Sequence, residues 1–192
     1  MYHKFLTDKT FFHFLYKTDQ DLSKQTKDQG CPFCRAVLHV ANYMRKPRGS
    51  IDLPEHLSLR FSFSCSRDGC RKRAMALSIR FLGRFVYWSV HVILISAMLG
   101  GRATDVNKIS KEFCIDVKTI KRWRRWWKDF FPTTKFWKKL SGEMVERIEH
   151  FPLGLLKLFE KSRSTEDGII AFLHSLKGLK KTDWPMADTF TQ

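Results

Sequence analysis

Four of the five cysteines fall in two pairs, Cys31-Pro-Phe-Cys34 and Cys65-Ser-Arg-Asp-Gly-Cys70, with 30 residues between them. Two such pairs can offer four thiolates to one ion, and a tetrahedral set of four sulfurs is the usual structural site for zinc. Zn2+ is therefore the expected cofactor, with Cys31, Cys34, Cys65 and Cys70 as ligands. His39 and His56 are alternative donors, read here as polar surface residues, and Cys114 stands apart from both pairs. The odd number of cysteines argues against a complete disulfide framework, and a redox role for Cys31 and Cys34 lacks the βαβ context it needs. The opening MYHKFLTDKTFFHF carries charges among its apolar residues and no cleavage-like site, so a reducing cytoplasm is expected.

The second chemistry is polyanion binding. The formal charge is +16 and unevenly spread: residues 60–84 hold seven Lys/Arg against one acid, 115–139 nine against two, and 143–192 seven against eight. Two basic blocks beside a neutral end fit a polyanion-binding front and a packing or partner-binding rear. The second block lies within Val106–Trp127, which reads as a helix, a tight turn and a second helix. Val106, Ile109, Ser110 and Phe113 give the first helix one buried stripe. Asp116 is placed to cap the second. There Ile120, Trp123 and Trp127 form the apolar stripe, with Lys118, Lys121, Arg122 and Arg125 opposite. A helix anchored on one face and cationic on the other suits the major groove of DNA.

The run KEFCIDVKTIKRWRRWW resembles the helix-turn-helix of many bacterial DNA-binding proteins. Ser110 takes the small-residue position, Ile115 the apolar position after the turn and Trp123 that of the aromatic anchor. Cys114 stands where those proteins usually carry glycine, and a side chain at positive φ is strained, so a differently shaped turn is one expectation. Over residues 5–131 the order of modules is similar to the DNA-recognition front end of some insertion-sequence transposases and to the small regulators such elements encode. The resemblance implies DNA binding without strand transfer.

These groups need elements to hold them. Residues 1–30 read as a short aromatic helix (Phe11, Phe12, Phe14, Leu15) and a polar linker from Lys17 to Gly30. Leu57, Leu59, Phe61 and Phe63 alternate with Ser58, Arg60, Ser62 and Ser64, and Met75, Leu77, Ile79 and Phe81 alternate again. That is the period of strands with one buried face. Two cysteine knuckles beside such strands make a zinc ribbon, a sheet too thin to hold itself without metal. Phe85–Gly101 is free of Lys, Arg, Asp and Glu. It is short for a membrane span and is interrupted by Ser89, His91 and Ser96, so it reads as a buried helix supporting the pair that follows. His91 is then a core or edge histidine with a local partner. After Phe131-Pro132, PTTKFWKKL starts another helix, 151–179 gives two short apolar helices about an SRSTEDG loop, and the end is a loose tail.

Catalysis is not expected. Metal-dependent strand transfer needs carboxylates gathered on an α/β core, whereas Glu143, Glu146 and Glu149 are spaced as on a solvent face. No phosphate loop, G-x-S-x-G or H-E-x-x-H occurs.

The resulting expectation is an α+β chain. A helix and linker (1–30) precede a small zinc-ribbon β-sheet (31–83), an all-α helix-turn-helix domain (84–131) and a short helical C-terminal region (132–192). Its expected function is sequence-specific binding of double-stranded DNA in the cytoplasm, at the nucleoid, as a regulator or accessory factor of a mobile element. Lys118, Lys121 and Arg122 face the groove, Arg125 and Lys128 meet phosphates, Arg71, Lys72 and Arg73 add a second backbone contact, and Thr119 completes the DNA-binding set. A separate transposase or recombinase chain and a second copy of this chain are the candidate protein partners. An RNA-binding ribbon is the main rival, and exposed aromatics on the ribbon sheet would favour it.

Overall fold

The computed structural model describes residues 2–49, 51–82, 86–100, 105–142, 148, 150–177 and 179. The fold is mixed α+β. After a 3₁₀ turn at Tyr2–Leu6, Asp8 accepts from the amides of Thr10 and Phe11 and starts α1, Lys9–Asp28. The expected polar linker from Lys17 to Gly30 is therefore mostly helix. The segment KTDQDLSKQTKD contains no glycine or proline, and it keeps an inward row (Leu15, Asp19, Leu22) at helical spacing. A buried aspartate in that row is what hid the stripe. Phe14 is exposed on the other side.

Five short strands follow: β1 Leu38–Val40, β2 Tyr43–Met44, β3 Leu59–Arg60, β4 Ser62–Cys65 and β5 Arg73–Met75. They form an antiparallel sheet of order β1-β4-β5 and a separate β2-β3 ladder. The register sets Leu38 opposite Cys65 and Phe63 opposite Ala74, all buried, on one face. His39, Ser64 and Arg73 form a row on the other, where Met75 lies opposite Ser62.

Two expectations from alternation are corrected here. Beyond Cys70 the parity is reversed: Ala74, Ala76 and Ser78 are buried, while Met75 and Leu77 stand 42% and 46% exposed. The small inward space under β4 takes alanines and leaves the larger side chains outside. Ile79 and Phe81 are buried as expected, because the chain has by then left the sheet for the main core. Nor do Arg60 and Ser62 face solvent. The Ser62 amide donates to Asn42 Oδ1 and its hydroxyl to the Ala41 carbonyl, while Arg60 reaches inward to donate to the Ala76 carbonyl at 2.7 Å. Leu57 is buried in a 3₁₀ turn, Glu55–Ser58, and not in a strand.

The apolar run becomes α2, Ser89–Met98, with nine of its ten residues buried. Among the described residues no helix is long and apolar enough to cross a membrane. His91 is fully buried, as a core histidine, but its Nε2 partner is the Leu6 carbonyl at 3.2 Å, 85 residues away in the chain and not a local group.

Against α2 pack α4 (Val117–Arg125) and α6 (Leu153–Glu160); α3 (Val106–Glu112) lies on α4, α7 (Thr165–Leu176) on α6, and α5 (Lys135–Gly142) on the turn at Phe131–Thr133. The expected SRSTEDG loop is shorter than it reads. Ser164 caps α7 by accepting from the Asp167 amide, so TEDG is already helical. Glu143, Glu146, Glu149 and the expected loose tail from 180 onward lie outside the described residues.

Two apolar clusters result. The small one lies under the cysteine sheet (Leu38, Phe61, Phe63, Ala74, Ala76), and the large one runs from Phe5 and Phe12 through α2 to Trp127 and Phe172. A buried ion pair stands between them. Asp19 of α1 accepts from Arg80 Nε at 2.8 Å, from the Ile79 amide at 2.7 Å and from the Ser78 hydroxyl. Arg80 also donates to the Leu57 and Leu59 carbonyls and lies over the rings of Tyr16, Phe61 and Phe81.

Candidate functional site

The two cysteine pairs converge. The sulfurs of Cys31, Cys34, Cys65 and Cys70 all lie within 4.8 Å of one another, with Cys31–Cys70 at 3.8 Å and Cys34–Cys65 at 3.4 Å. Four sulfurs about 2.3 Å from a central ion would sit about 3.8 Å apart, so the cluster has the dimensions of a tetrahedral thiolate site. The gathering is set by local chain geometry. In the first knuckle the Arg35 amide donates to the Cys31 carbonyl at 2.8 Å and the Cys31 amide to Ala36 at 2.9 Å. In the second, the amides of Cys70 and Arg71 both return to the Arg67 carbonyl. Each knuckle ends on a left-handed residue directly after its second cysteine, Arg35 (φ 61°) and Arg71 (φ 41°), which turns the chain back under the sulfurs.

The thiols are electrostatically unequal. Burial raises Cys31, but amides of Phe33 and Cys34 aimed at its sulfur outweigh that and hold it at about 7. At Cys65 the Arg67 amide acts downward, at an N···S distance of 3.4 Å. Burial and the three neighbouring sulfurs prevail there and push the thiol up to about 12. Sulfurs this close resist shared ionisation until a cation stands between them. No other group of three or more His, Cys, Asp or Glu among the described residues is placed to hold a metal. His39 is exposed and lies on the opposite face of the sheet, His56 packs against His13 and Tyr16, and Cys114 is exposed in the α3–α4 turn.

That turn is the second locus. Asp105 caps α3, and Asp116 caps α4 by accepting from the Lys118 amide at 2.7 Å. Between them Cys114 adopts φ 49°, so it takes the left-handed conformation a glycine would, and the Ile115 amide closes on Ser110 at 3.1 Å. The turn keeps its shape despite the side chain, whose sulfur points outward. The buried stripes are as read: Ile109, Phe113 and Ile115, then Ile120, Trp123 and Trp127, with Val106 and Ser110 half-buried. Trp123 meets Tyr87 edge-on at 5.0 Å between centroids. Trp126 is buried too, because a π-helical turn over Trp126–Phe130 adds a residue per turn and brings adjacent tryptophans inward together.

Lys118, Lys121, Arg122, Arg124, Arg125 and Lys128 are all exposed, and Thr119 is half-buried. They divide by position around the helix. Lys118 and Arg122 lie one turn apart on the open flank. Lys121, Arg124, Arg125 and Lys128 line a recess of about 540 Å³, completed by Ser96, Gly100, Asp129, His150 and Phe151. Arg124, one turn after Ile120 at the edge of the buried stripe, joins this set beyond the cations expected from the sequence. Arg71, Lys72 and Arg73 are exposed along the second knuckle and β5. Arg71 is paired with Asp68, and Lys72 lies 4.5 Å from the centre of the Phe33 ring.

Comparison with known protein families, curated proteins and solved structures finds no match to this chain.

Proposed function

We propose that the chain is a zinc-stabilised DNA-binding protein, a zinc ribbon joined to a helix-turn-helix, that recognises double-stranded DNA with α4. The observation that carries this reading is α4 itself. Ile120 and Trp123 bury one face of it, and every cation on the other is exposed. Its capped N-terminus follows a left-handed turn, and in a helix-turn-helix the N-terminal residues of the second helix contact the base edges. Zinc is the ion that suits four sulfurs at these separations. The resemblance to insertion-sequence proteins extends the proposal to a regulator or accessory factor of a mobile element, working beside a separate transposase or recombinase chain.

Selection of bound duplexes from a random pool, followed by salt titrations, tests the reading. Lys118 and Arg122 are the base-reading candidates, since they project from the first turns of α4 on its open flank. Arg122→Ala should cost about 1–3 kcal/mol on a selected site and relax preference at one base position. Arg125→Ala should weaken selected and random duplexes alike and flatten the salt dependence. Failure of the pool to enrich, or equal losses on both duplexes for Arg122→Ala with the fold intact, overturns the proposal.

A further inference from the structure

On the outer face of the cysteine sheet Ser62 is buried beneath Ala41 and Asn42, and the large side chains around it stand exposed. Nine large apolar side chains are exposed among the described residues, and seven belong to this small unit: Phe33, Val37, Val40, Tyr43, Met44, Met75 and Leu77. The strand register decides which of them act together. His39, Ser64 and Arg73 form a cross-strand row, with Met75 two residues along β5 and Leu77 continuing the same parity. The Arg73 guanidinium lies 5.5 Å from the centre of the Tyr43 ring, which brings Tyr43 of the second ladder onto this face. An imidazole, a phenol ring, a guanidinium and two flexible apolar side chains thus share one surface, opposite the face that holds the thiols.

Charge indicates what this surface takes. Segments 31–49 and 59–82 carry ten Lys/Arg and a single acid, Asp68, which is paired with Arg71 in the knuckle; Arg60 and Arg80 are buried, the latter against Asp19, Arg45 is half-buried, and the other seven are exposed. No carboxylate belongs to the outer row. A protein partner packing on Met75 and Leu77 would meet an uncompensated cationic field, whereas a polynucleotide satisfies both features. Bases stack on rings and apolar side chains, and phosphates neutralise the surrounding cations. A duplex keeps its bases stacked on one another and offers no free π-face, so the fit is to an unpaired strand.

We propose that the outer face of the cysteine sheet binds single-stranded polynucleotide, with Tyr43 as the stacking platform and Arg73 and His39 beside it. The site is independent of α4. A chain using both would hold a duplex on the helix and an unpaired strand on the sheet.

The test is fluorescence anisotropy with labelled oligo(dT) and oligo(U) at low salt, using the full-length chain. Tyr43→Ala should weaken both by about tenfold and Tyr43→Phe should not, because stacking needs the ring and not the hydroxyl. Arg73→Glu should weaken them further, and Arg122→Ala should leave them unchanged. Both Tyr43 and Arg73 are exposed, and unchanged metal content establishes that the sheet is intact. A preference between oligo(U) and oligo(dU), which differ only in the 2′-hydroxyl, tells RNA from DNA. The proposal is overturned if wild type does not bind either oligonucleotide, or if Tyr43→Ala binds as well as wild type. Self-association that Arg73→Glu abolishes, with oligonucleotide binding unaltered, would assign the face to a second copy instead.

Discussion

Replacing Asp19 with asparagine should destabilise the protein more than any surface change in α1. The carboxylate is fully buried and accepts three hydrogen bonds, from Ser78, Ile79 and Arg80, and it is the ion-pair partner of a guanidinium that is also fully buried. Burial already lowers the Arg80 pKa, and the Asp19 charge opposes that shift. Asparagine preserves the shape but removes the charge and turns an NH2 toward donors. Two charges centred about 4 Å apart interact by about 4 kcal/mol at an effective dielectric of about 20. Removing one member of a buried pair costs about 3–5 kcal/mol, since the other stays buried without compensation.

Urea unfolding followed by tryptophan fluorescence reads the effect. With a slope of about 2 kcal/mol/M, the midpoint should fall by about 2 M. Because Arg80 also holds the Leu57 and Leu59 carbonyls, the loss should include detachment of the cysteine sheet from α1, seen as early hydrogen exchange at Ile79. The double variant Asp19→Leu, Arg80→Met should recover part of the stability, because it removes the stranded charge. A midpoint shift under about 0.5 M for Asp19→Asn would refute the reasoning.

Two further outcomes are expected. Protein purified without added zinc should carry one equivalent of metal. Cys65→Ser should lose it together with the sheet's protection from exchange, whereas Cys114→Ser, exposed and outside the cluster, should retain it; full metal in Cys65→Ser would remove the ligand assignment. His91 should make stability depend on pH: burial lowers its pKa from 6.5 to about 4, against a smaller upward effect of the Leu6 carbonyl, so the folded ring stays neutral where the unfolded one protonates. That stability is complete above pH 6.5 and is lost as pH falls toward 4, by roughly 3 kcal/mol in all. A His91→Asn variant whose stability falls as steeply over that window would exclude His91 as the source.

Features that depend on near neighbours were legible in the sequence. The knuckle Cys31-Pro-Phe-Cys34 and the cap Asp116 are satisfied within a few residues. The stripe Ile120, Trp123, Trp127 follows from helical period alone, and the uncharged run could only be buried. The expectation of a differently shaped turn at Cys114 failed, because a side chain directed to solvent leaves the left-handed conformation available to a non-glycine residue. What alternation could not tell was which strand face lies inward. Ala74 and Ala76 give no hydrophobic contrast against Met75 and Leu77, and the choice was made by the narrow space beneath β4. Asp19, Arg60 and Arg80 are hidden for a related reason. Composition assigns charged residues to solvent, and only the approach of α1 to a segment 61 residues later pairs Asp19 with Arg80, while Arg60 is turned inward onto the Ala76 carbonyl. The division of the α4 cations is likewise tertiary. Their helical positions follow from the sequence, but the packing of His150 and Phe151 near the end of α2 is what turns one flank into a recess and leaves Lys118 and Arg122 on the other.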